Sequence, residues 1–408
     1  MSTAIEFKAV DILFARQRGR AGRRAIREAL ALIDAGATRT QISEKFGVIV
    51  GVAGANLSVA SGDISVLMGL SGSGKSTLLR AANGLNTVTR GSVLVRDGDS
   101  AIDVAHCDTR QMRRVRRERV AMVFQQFGLL PWRTVRENVG FGLELRGERA
   151  AQCRKIVDEK LELVGLSQWS DRHVSELSGG MQQRVGLARA FATEAEILLM
   201  DEPFSALDPL IRGKLQDELL ELQARVKKTI LFVSHDLDEA LRLGDRITIL
   251  QNGRIVQTGT AEDIVMAPAD EYVAEFVRHM NPLDVLTGGM IMRGLAQMAD
   301  GDGGCLWLDP GRRYRLVLGA QDELVALTLD GQPRGVCRVD HDAAIGSAER
   351  AVPIAPVSLS LQEIIKIRQI TGHPVLLARD GRIVGVCGES EIIRALAGNR
   401  DQGAAAPA

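Results

Sequence analysis

The chain has 408 residues, with 51 basic and 51 acidic side chains, so two or three domains are expected and no disulfide or metal staple is needed for a core. Balanced charge argues against a protein whose main partner is nucleic acid. Five cysteines without a CxxC pair indicate neither a disulfide framework nor a zinc site, and no run of about 18 apolar residues is present to cross a bilayer.

Residues 5–10 alternate apolar and polar with period two and predict a strand, which Phe14 closes. Residues 16–27 carry six arginines and no acid. A helix is predicted over 21–34, stopped near Gly36. Thr38 as N-cap, Gln41 three residues on and Gly47 beyond predict a second short helix with a capping box. Both helices read as an insertion between two strands of one sheet. From about 51 to 280, β-rich runs, glycine turns and helical runs alternate, which predicts an α/β core.

Residues 69–77 read Gly-Leu-Ser-Gly-Ser-Gly-Lys-Ser-Thr, a full G-x-x-x-x-G-K-S phosphate loop after a predicted strand (63–68) and before a predicted helix (77–82). Glycines let consecutive N–H groups curl around phosphate oxygens, and the helix start adds positive potential. Lys75 offers a charge to the β- and γ-phosphates, and Ser76 a hydroxyl to Mg²⁺. The apolar run 197–200 ends in Asp201 and Glu202. A carboxylate at a buried strand end can hold Mg²⁺ through water, and its neighbour can deprotonate the attacking water. Leu177-Ser178-Gly179-Gly180-Met181-Gln182-Gln183, opening a predicted helix (182–191), is a second anion-receptive helix start shortly before that strand. Another buried strand, 229–233, ends at Ser234, His235 and Asp236. Asn252-Gly253 between two β-rich runs predicts a type I′ hairpin.

Past residue 280, Asn281-Pro282, Gly288-Gly289 and the glycines of 301–304 mark a linker or loose loops. A smaller unit follows: a helix (362–370), a strand (374–378), an Asp380-Gly381 turn, a strand (382–386) and a last helix (389–396). The polar, alanine-rich tail 398–408 is expected to fray.

Together these motifs make residues 5–280 similar to the ATPase subunit of an ATP-binding cassette (ABC) transporter. Val123-Phe124-Gln125-Gln126 resembles the glutamine loop, Ser205-Ala206-Leu207-Asp208 the D-loop, and Ser234-His235-Asp236 the histidine switch. The resemblance implies a P-loop NTPase with a RecA-like α/β core, an antiparallel β subdomain and a helical subdomain. It also implies a head-to-tail homodimer binding ATP and Mg²⁺. Each ATP then lies between the phosphate loop of one copy (Gly69, Ser71, Gly72, Gly74, Lys75, Ser76 and Thr77) and the signature of the other (Ser178, Gly179 and Gly180), with Asp208 arranging the interface. Ser76, Gln125 and Asp201 are the implied Mg²⁺ residues. Glu202 is the implied base, Gln125 the contact to metal and attacking water, and His235 the contact to γ-phosphate. The family stacks an aromatic on adenine. Phe46 lies at about the usual chain distance before Lys75, while Phe14 ends the first strand, and strand position favours Phe14.

The helical insert at about 16–46 and the strings at 200–211, 216–219 and 234–240 are similar to glycine betaine, proline betaine and choline importers, and 125–132 resembles choline-type members in particular. That branch implies ATP-driven uptake of a quaternary amine through transmembrane permease subunits, at the cytoplasmic face of the plasma membrane. A separate substrate-binding protein chooses the cargo. This chain has only three Trp and two Tyr, dispersed, so no cation–π cage is expected in it. An importer for another solute, such as an amino acid, is the alternative. A soluble non-transport ABC ATPase is the rival class, but it often carries two cassettes or a large insertion between phosphate loop and signature. Residues 127–145, with Trp132, resemble the region that receives a permease coupling helix. Related importers carry two cystathionine-β-synthase (CBS)-type repeats. Residues 351–397 resemble one repeat and 305–325 a degraded first copy, giving a CBS-like α+β module over 281–397. Gly388 and Glu391 stand where the family often places Thr and Asp, leaving a sensor and a ligand-free packing module as alternatives. The arginine runs 16–27 and 110–119 read as solvated helix faces, with contact to anionic lipid as the other reading.

Overall fold

The computed structural model describes residues 2–278, 283, 286–301, 305–319, 322–339 and 351–397. Asn281, Pro282, Gly303, Gly304 and the tail 398–408 lie outside the described residues. The chain divides into two compact units, Met1–Ala274 and Glu275–Ala408.

The first unit opens with β1 (Thr3–Ala15), the insert helices α1 (Gly19–Asp34) and α2 (Arg39–Phe46), and β2 (Val48–Ala60). The strand expected over 5–10 runs on through Phe14. Register shifts around Ala9 (φ +47°) absorb the extra residues, and Asn56 Oδ1 accepts the Ala9 N–H at 2.9 Å. Next come β3 (Ile64–Met68), α3 (Lys75–Ala81), β4 (Arg90–Asp97) and β5 (Ser100–Asp103). α4 (Thr109–Arg114) runs into one π-helical turn, Val115–Arg119, before β6 (Val120–Val123). Three helices, α5 (Val135–Arg146), α6 (Ala150–Leu163) and α7 (Gly179–Ala192), pack on one another. β7 (Ile197–Asp201), α8 (Pro209–Val226), β8 (Thr229–Val233), α9 (Leu237–Leu243), β9 (Arg246–Gln251), β10 (Arg254–Gly259), α10 (Ala261–Met266) and α11 (Glu271–Arg278) follow.

Two sheets result. One is antiparallel, in the order β2-β1-β4-β5; the other runs β10-β9-β3-β8-β7-β6 and is parallel except for the β9–β10 hairpin. Asn252 and Gly253 both have positive φ at that hairpin, as a type I′ turn requires. β3, β7 and β8 are buried at every residue, which explains their unbroken apolar runs. α3 lies in a core shared by both sheets, with Leu78 and Leu79 among Ile5, Phe7, Leu67 and Leu231.

The insert has a small core of its own. Ala29, Ile33 and Ile42 pack on Leu13, Val48 and Val50, with Phe46 against them. The Thr38–Gln41 capping box opens α2, and Gly47 in the left-handed region closes it. Arg90 on β4 holds α1 at its end: the guanidinium forks onto Asp34 at 2.7 and 2.8 Å and reaches fully buried Asp11 at 2.6 Å.

In the second unit β11 (Arg293–Gly294), β17 (Val336–Arg338), β18 (Val352–Pro356), β19 (Val375–Arg379) and β20 (Arg382–Cys387) form a mixed sheet in the order β11-β20-β19-β18-β17. Helices Leu361–Thr371 and Glu389–Ala397 accompany it. Ser360 caps the first helix in a capping box, and Gly372 ends it. The segment 305–325, read from sequence as a degraded repeat, belongs instead to an antiparallel meander of β12 (Ala299–Gly301), β13 (Cys305–Trp307), β14 (Tyr314–Leu318), β15 (Leu324–Leu329) and β16 (Gln332–Pro333). No helix intervenes among its described residues between 305 and 333. Successive strands pair antiparallel, and a positive-φ Asp330-Gly331 turn joins the last two. The two sheets share one core, where Leu316, Leu327 and Leu329 meet Val352, Leu376 and Val386.

Candidate active site

Four adjacent strands, β3, β8, β7 and β6, run parallel and end on the same edge of their sheet. The sequence motifs all leave from those carboxyl ends, the usual place for a ligand in an open α/β sheet. β3 delivers the phosphate loop, β8 Ser234–Asp236, β7 Asp201 and Glu202, and β6 Gln125.

The phosphate loop is tightly enclosed. Gly69 has φ +143°, and a Cβ there would come within 2.2 Å of the Leu250 carbonyl; Gly74 has φ +104°, and a Cβ would meet the Gly51 carbonyl at 2.4 Å. Only glycine fits either position. Lys75 is buried, and its ammonium donates to the carbonyls of Gly69 (2.7 Å) and Leu70 (3.1 Å). Burial holds its pKa below the ordinary lysine value, opposed by the charges of Glu202 and Asp201. Ser76 Oγ donates to Asp201 Oδ1 at 2.7 Å. The other Asp201 oxygen accepts from Arg80, 3.0 Å from Nε and 2.8 Å from Nη2. Ser71, Gly72 and Thr77 complete the loop and the start of α3, the Thr77 methyl lying beside Gly51.

Glu202 sits just past β7 at φ +50°, a conformation that costs a non-glycine residue of order 1 kcal/mol or more. Its N–H donates to the Val233 carbonyl at 3.1 Å, which ties it to β8. Its carboxylate accepts from Gln125 Nε2 at 3.0 Å and stands 3.6 Å from His235 Nδ1. Gln125 and His235, drawn from two other motifs, therefore converge on one oxygen of the Glu202 carboxylate. The His235 ring is otherwise mostly exposed.

Ser178 is the N-cap of α7, accepting the Met181 N–H, and Gly179 and Gly180 open that helix. Asp208 is the N-cap of α8, accepting the Ile211 N–H at 3.0 Å. Gly180 lies against Ala206 and Leu207 of the D-loop. Among the described residues no hydrogen bond or ion pair links Ser178, Gly179 or Gly180 to residues 69–77. Phe14 is 41% exposed, and its ring edge faces Gly51, as does the Thr77 methyl. Phe46 packs into the core of the insert, under the Lys45 ammonium.

Residues that the sequence alone did not assign also shape the site. Gln183 is buried; it donates to the Glu202 carbonyl (3.1 Å) and accepts the Ala206 N–H (3.2 Å). It thereby ties α7 both to Glu202 and to the D-loop. Its presence in the Ser-Gly-Gly-Met-Gln-Gln string was the only signal. Arg80, at a helical spacing from Ser76, had no signal beyond its position on α3. Glu239 of α9 accepts from Ser234 Oγ and from Gln216 Nε2 (2.9 Å), and burial pushes its pKa up. It fastens the histidine-bearing turn to α8.

A groove of about 610 Å³ opens between the end of α3, the segment after Gln125, and α5, with Leu85, Phe124, Leu130, Phe141 and Leu145 along it. Buried Asn138 shapes one wall by donating to the Leu130 carbonyl and accepting its N–H. Arg189 reaches the carbonyls of Phe127 and Gly128. Trp132 nearby in sequence is 71% exposed. The arginine run 110–119 is not a bare solvated face. Arg114 and Arg119 pair with Asp97, Arg116 donates to the carbonyls of Asn83 and Gly84, and Arg117 to that of Arg146.

Comparison with known proteins agrees with this geometry. A family described as "ABC transporter" matches residues 52–205. The glycine betaine/carnitine transport ATP-binding protein GbuA of Listeria monocytogenes is 40% identical over 377 residues, 91% of this chain and 94% of that protein. The glycine betaine/proline betaine transport system ATP-binding protein ProV of Escherichia coli is 42% identical over 379 residues, 90% of this chain and 93% of that one. Among solved structures, the ATP-binding cassette MJ0796, a dimer in a post-hydrolysis state with ADP and Pi, superposes with a TM-score of 0.53 at 29% identity. It covers 63% of this chain and 98% of its own. The chain belongs to the ABC transporter family, among the glycine betaine/proline betaine transport ATP-binding proteins.

Proposed function

We propose that this chain hydrolyses ATP to power uptake of a quaternary amine, a betaine or choline, through an ABC importer. The observation that carries the ATPase reading is Glu202, held at φ +50° between Gln125 and His235 at the end of β7. The cargo rests on the relatives, whose names specify glycine betaine with carnitine or proline betaine, and in one further case trimethylamine N-oxide.

Lys75 and the loop amides of 69–77 bind the phosphates, and Phe14 offers its exposed ring to the adenine. What supports Phe14 over Phe46 is that its ring edge faces Gly51, as the Thr77 methyl does; Phe46 packs on the insert core. Ser76 and Asp201 present hard oxygens 2.7 Å apart, a donor set suited to Mg²⁺ with one carboxylate and substrate phosphates. When bound there, the ion screens phosphate charge. Glu202 takes the proton from the attacking water, Gln125 holds that water and senses the metal, and His235 donates towards the γ-phosphate. Among the described residues no hydrogen bond or ion pair joins Ser178, Gly179 or Gly180 to residues 69–77 of their own chain, which supports a site completed by a second copy across Asp208.

The 610 Å³ groove, lined by Leu85, Phe124, Leu130, Phe141 and Leu145 together with several arginines, supports docking of a permease coupling helix. No helix among the described residues is long and apolar enough to cross a membrane. Membrane attachment through permease subunits follows from that docking, with a separate substrate-binding protein selecting the cargo. For 351–397, the strand–helix–strand–strand–helix order supports one CBS-type repeat. Glu391 is buried, accepts the Gly388 N–H at 2.9 Å and lies 3.5 Å from Arg293. That self-pairing supports a packing role over a ribose contact.

The test is Glu202→Gln. It should bind ATP with Mg²⁺ and form a stable dimer, while hydrolysis falls by roughly 10²-fold or more. Normal turnover would remove the base assignment.

A further inference from the structure

The insert reaches the nucleotide site. Arg39, the first residue of α2, donates from Nη1 to the Gly72 carbonyl at 2.7 Å, across 33 residues of sequence. Among the described residues no other hydrogen bond joins insert and phosphate loop. The peptide between Gly72 and Ser73 is also held at its other end, where the Ser73 N–H donates to the Leu70 carbonyl at 3.1 Å. One residue on, the Ser73 carbonyl accepts the Gly253 N–H at 2.9 Å from the β9–β10 turn. The loop is thus pinned from the hairpin on one side and from the insert on the other.

A brace must itself be held in place, and the insert is tied at several points. The capping box at Thr38 fixes the start of α2, and therefore where Arg39 stands. Buried Ile42 and the core with Leu13, Val48 and Val50 fix the body of the helix. The Arg90 fork on Asp34 fixes the end of α1. Gly72 sits at φ +76°, and a Cβ placed there would meet nothing within 4 Å.

We propose that Arg39 is a positioning residue for the phosphate loop, and that the insert is a brace setting affinity for nucleoside di- and triphosphates rather than the rate of hydrolysis. A loop already ordered loses less freedom when phosphate binds. The inference rests on the nucleotide site proposed above.

The experiment measures binding of fluorescent ATP and ADP analogues, with Mg²⁺, to the full chain, and steady-state ATPase of the assembled transporter. Arg39→Met keeps the apolar stem and removes the donor. It should weaken both nucleotides by roughly three- to tenfold and raise KM for ATP by the same factor, with kcat unchanged. Arg39→Lys, which restores a charged donor, should recover most of the loss. Arg24→Ala, an exposed α1 arginine paired with Glu28, should change neither value. Lys75→Ala should abolish binding and anchors the site reading. Wild-type affinity in Arg39→Met beside lost binding in Lys75→Ala would overturn the brace and leave the nucleotide site standing. A fall in kcat at unchanged KM would also overturn it. Wild-type affinity in Lys75→Ala would instead remove the site reading itself.

Discussion

Gln183 links Glu202, the proposed base, to the D-loop, through two hydrogen bonds made inside the protein. Removing a buried partner of this kind costs about 1–3 kcal/mol. Gln183→Ala should lower unfolding free energy in urea by that amount and reduce hydrolysis about tenfold, with ATP binding nearly unchanged. Unchanged turnover would show that Glu202 holds its backbone without this tie. At this scale the sequence was informative wherever a motif fixed both residue type and spacing. Lys75, Ser76, Asp201, Glu202, Gln125 and His235 were named from strings, and the structure brings them to one sheet edge. Arg80, Gln183 and Glu239 were not assigned, because their partners lie 121, 19 and 5 residues away and no local pattern encodes a side-chain pairing across strands.

Arg90 governs the element that distinguishes this cassette, its helical insert. Asp11 is wholly buried and Arg90 only partly so, and Asp11 also accepts the Gly54 N–H at 2.8 Å. Breaking a fully buried pair costs about 3–5 kcal/mol, and a solvated partner reduces that. Arg90→Ala should therefore destabilise the first unit by about 2 kcal/mol and free α1 for faster amide exchange. Exchange in α1 unchanged from wild type would contradict the clamp. Helix ends were legible where capping chemistry is local: the Thr38–Gln41 box and Gly47 bound α2 as expected. β1 was legible only in part, because bulges carry it past residue 10 and a bulge depends on the partner strand. The meander over 305–333 was misread for a similar reason. Strand–turn–strand text precedes either another strand or a helix, and pairing between neighbours decides which forms. The arginine run 110–119 failed as a solvated face because Asp97 and distant carbonyls, invisible in the run itself, hold four of its members.

At the scale of the whole molecule, one histidine makes the stability of the second unit depend on pH. In the second, His373 Nδ1 lies 2.8 Å from the Tyr314 hydroxyl, and burial with Arg334 and Arg313 holds its pKa below the ordinary value. The unfolded chain takes up that proton first, so this stability is complete above about pH 6.5 and is lost as pH falls through the folded pKa. Melting of the second unit, followed by Trp307 fluorescence with Trp132 and Trp169 replaced by Phe, should drop between pH 7.5 and 5.5. His373→Gln should flatten that slope, and equal slopes would contradict the assignment. The balanced charge of the opening composition acquires a structural meaning: arginines that look surplus in sequence are spent on buried aspartates, carbonyls and the phosphate loop. The central claim is that this chain converts ATP hydrolysis into uptake of a quaternary amine. The most direct measurement is uptake of labelled glycine betaine and choline by proteoliposomes holding the chain with its permease and substrate-binding protein. ATP-dependent accumulation of at least one of them, lost in Glu202→Gln, is the expected result; ATP-driven uptake of neither would contradict the account.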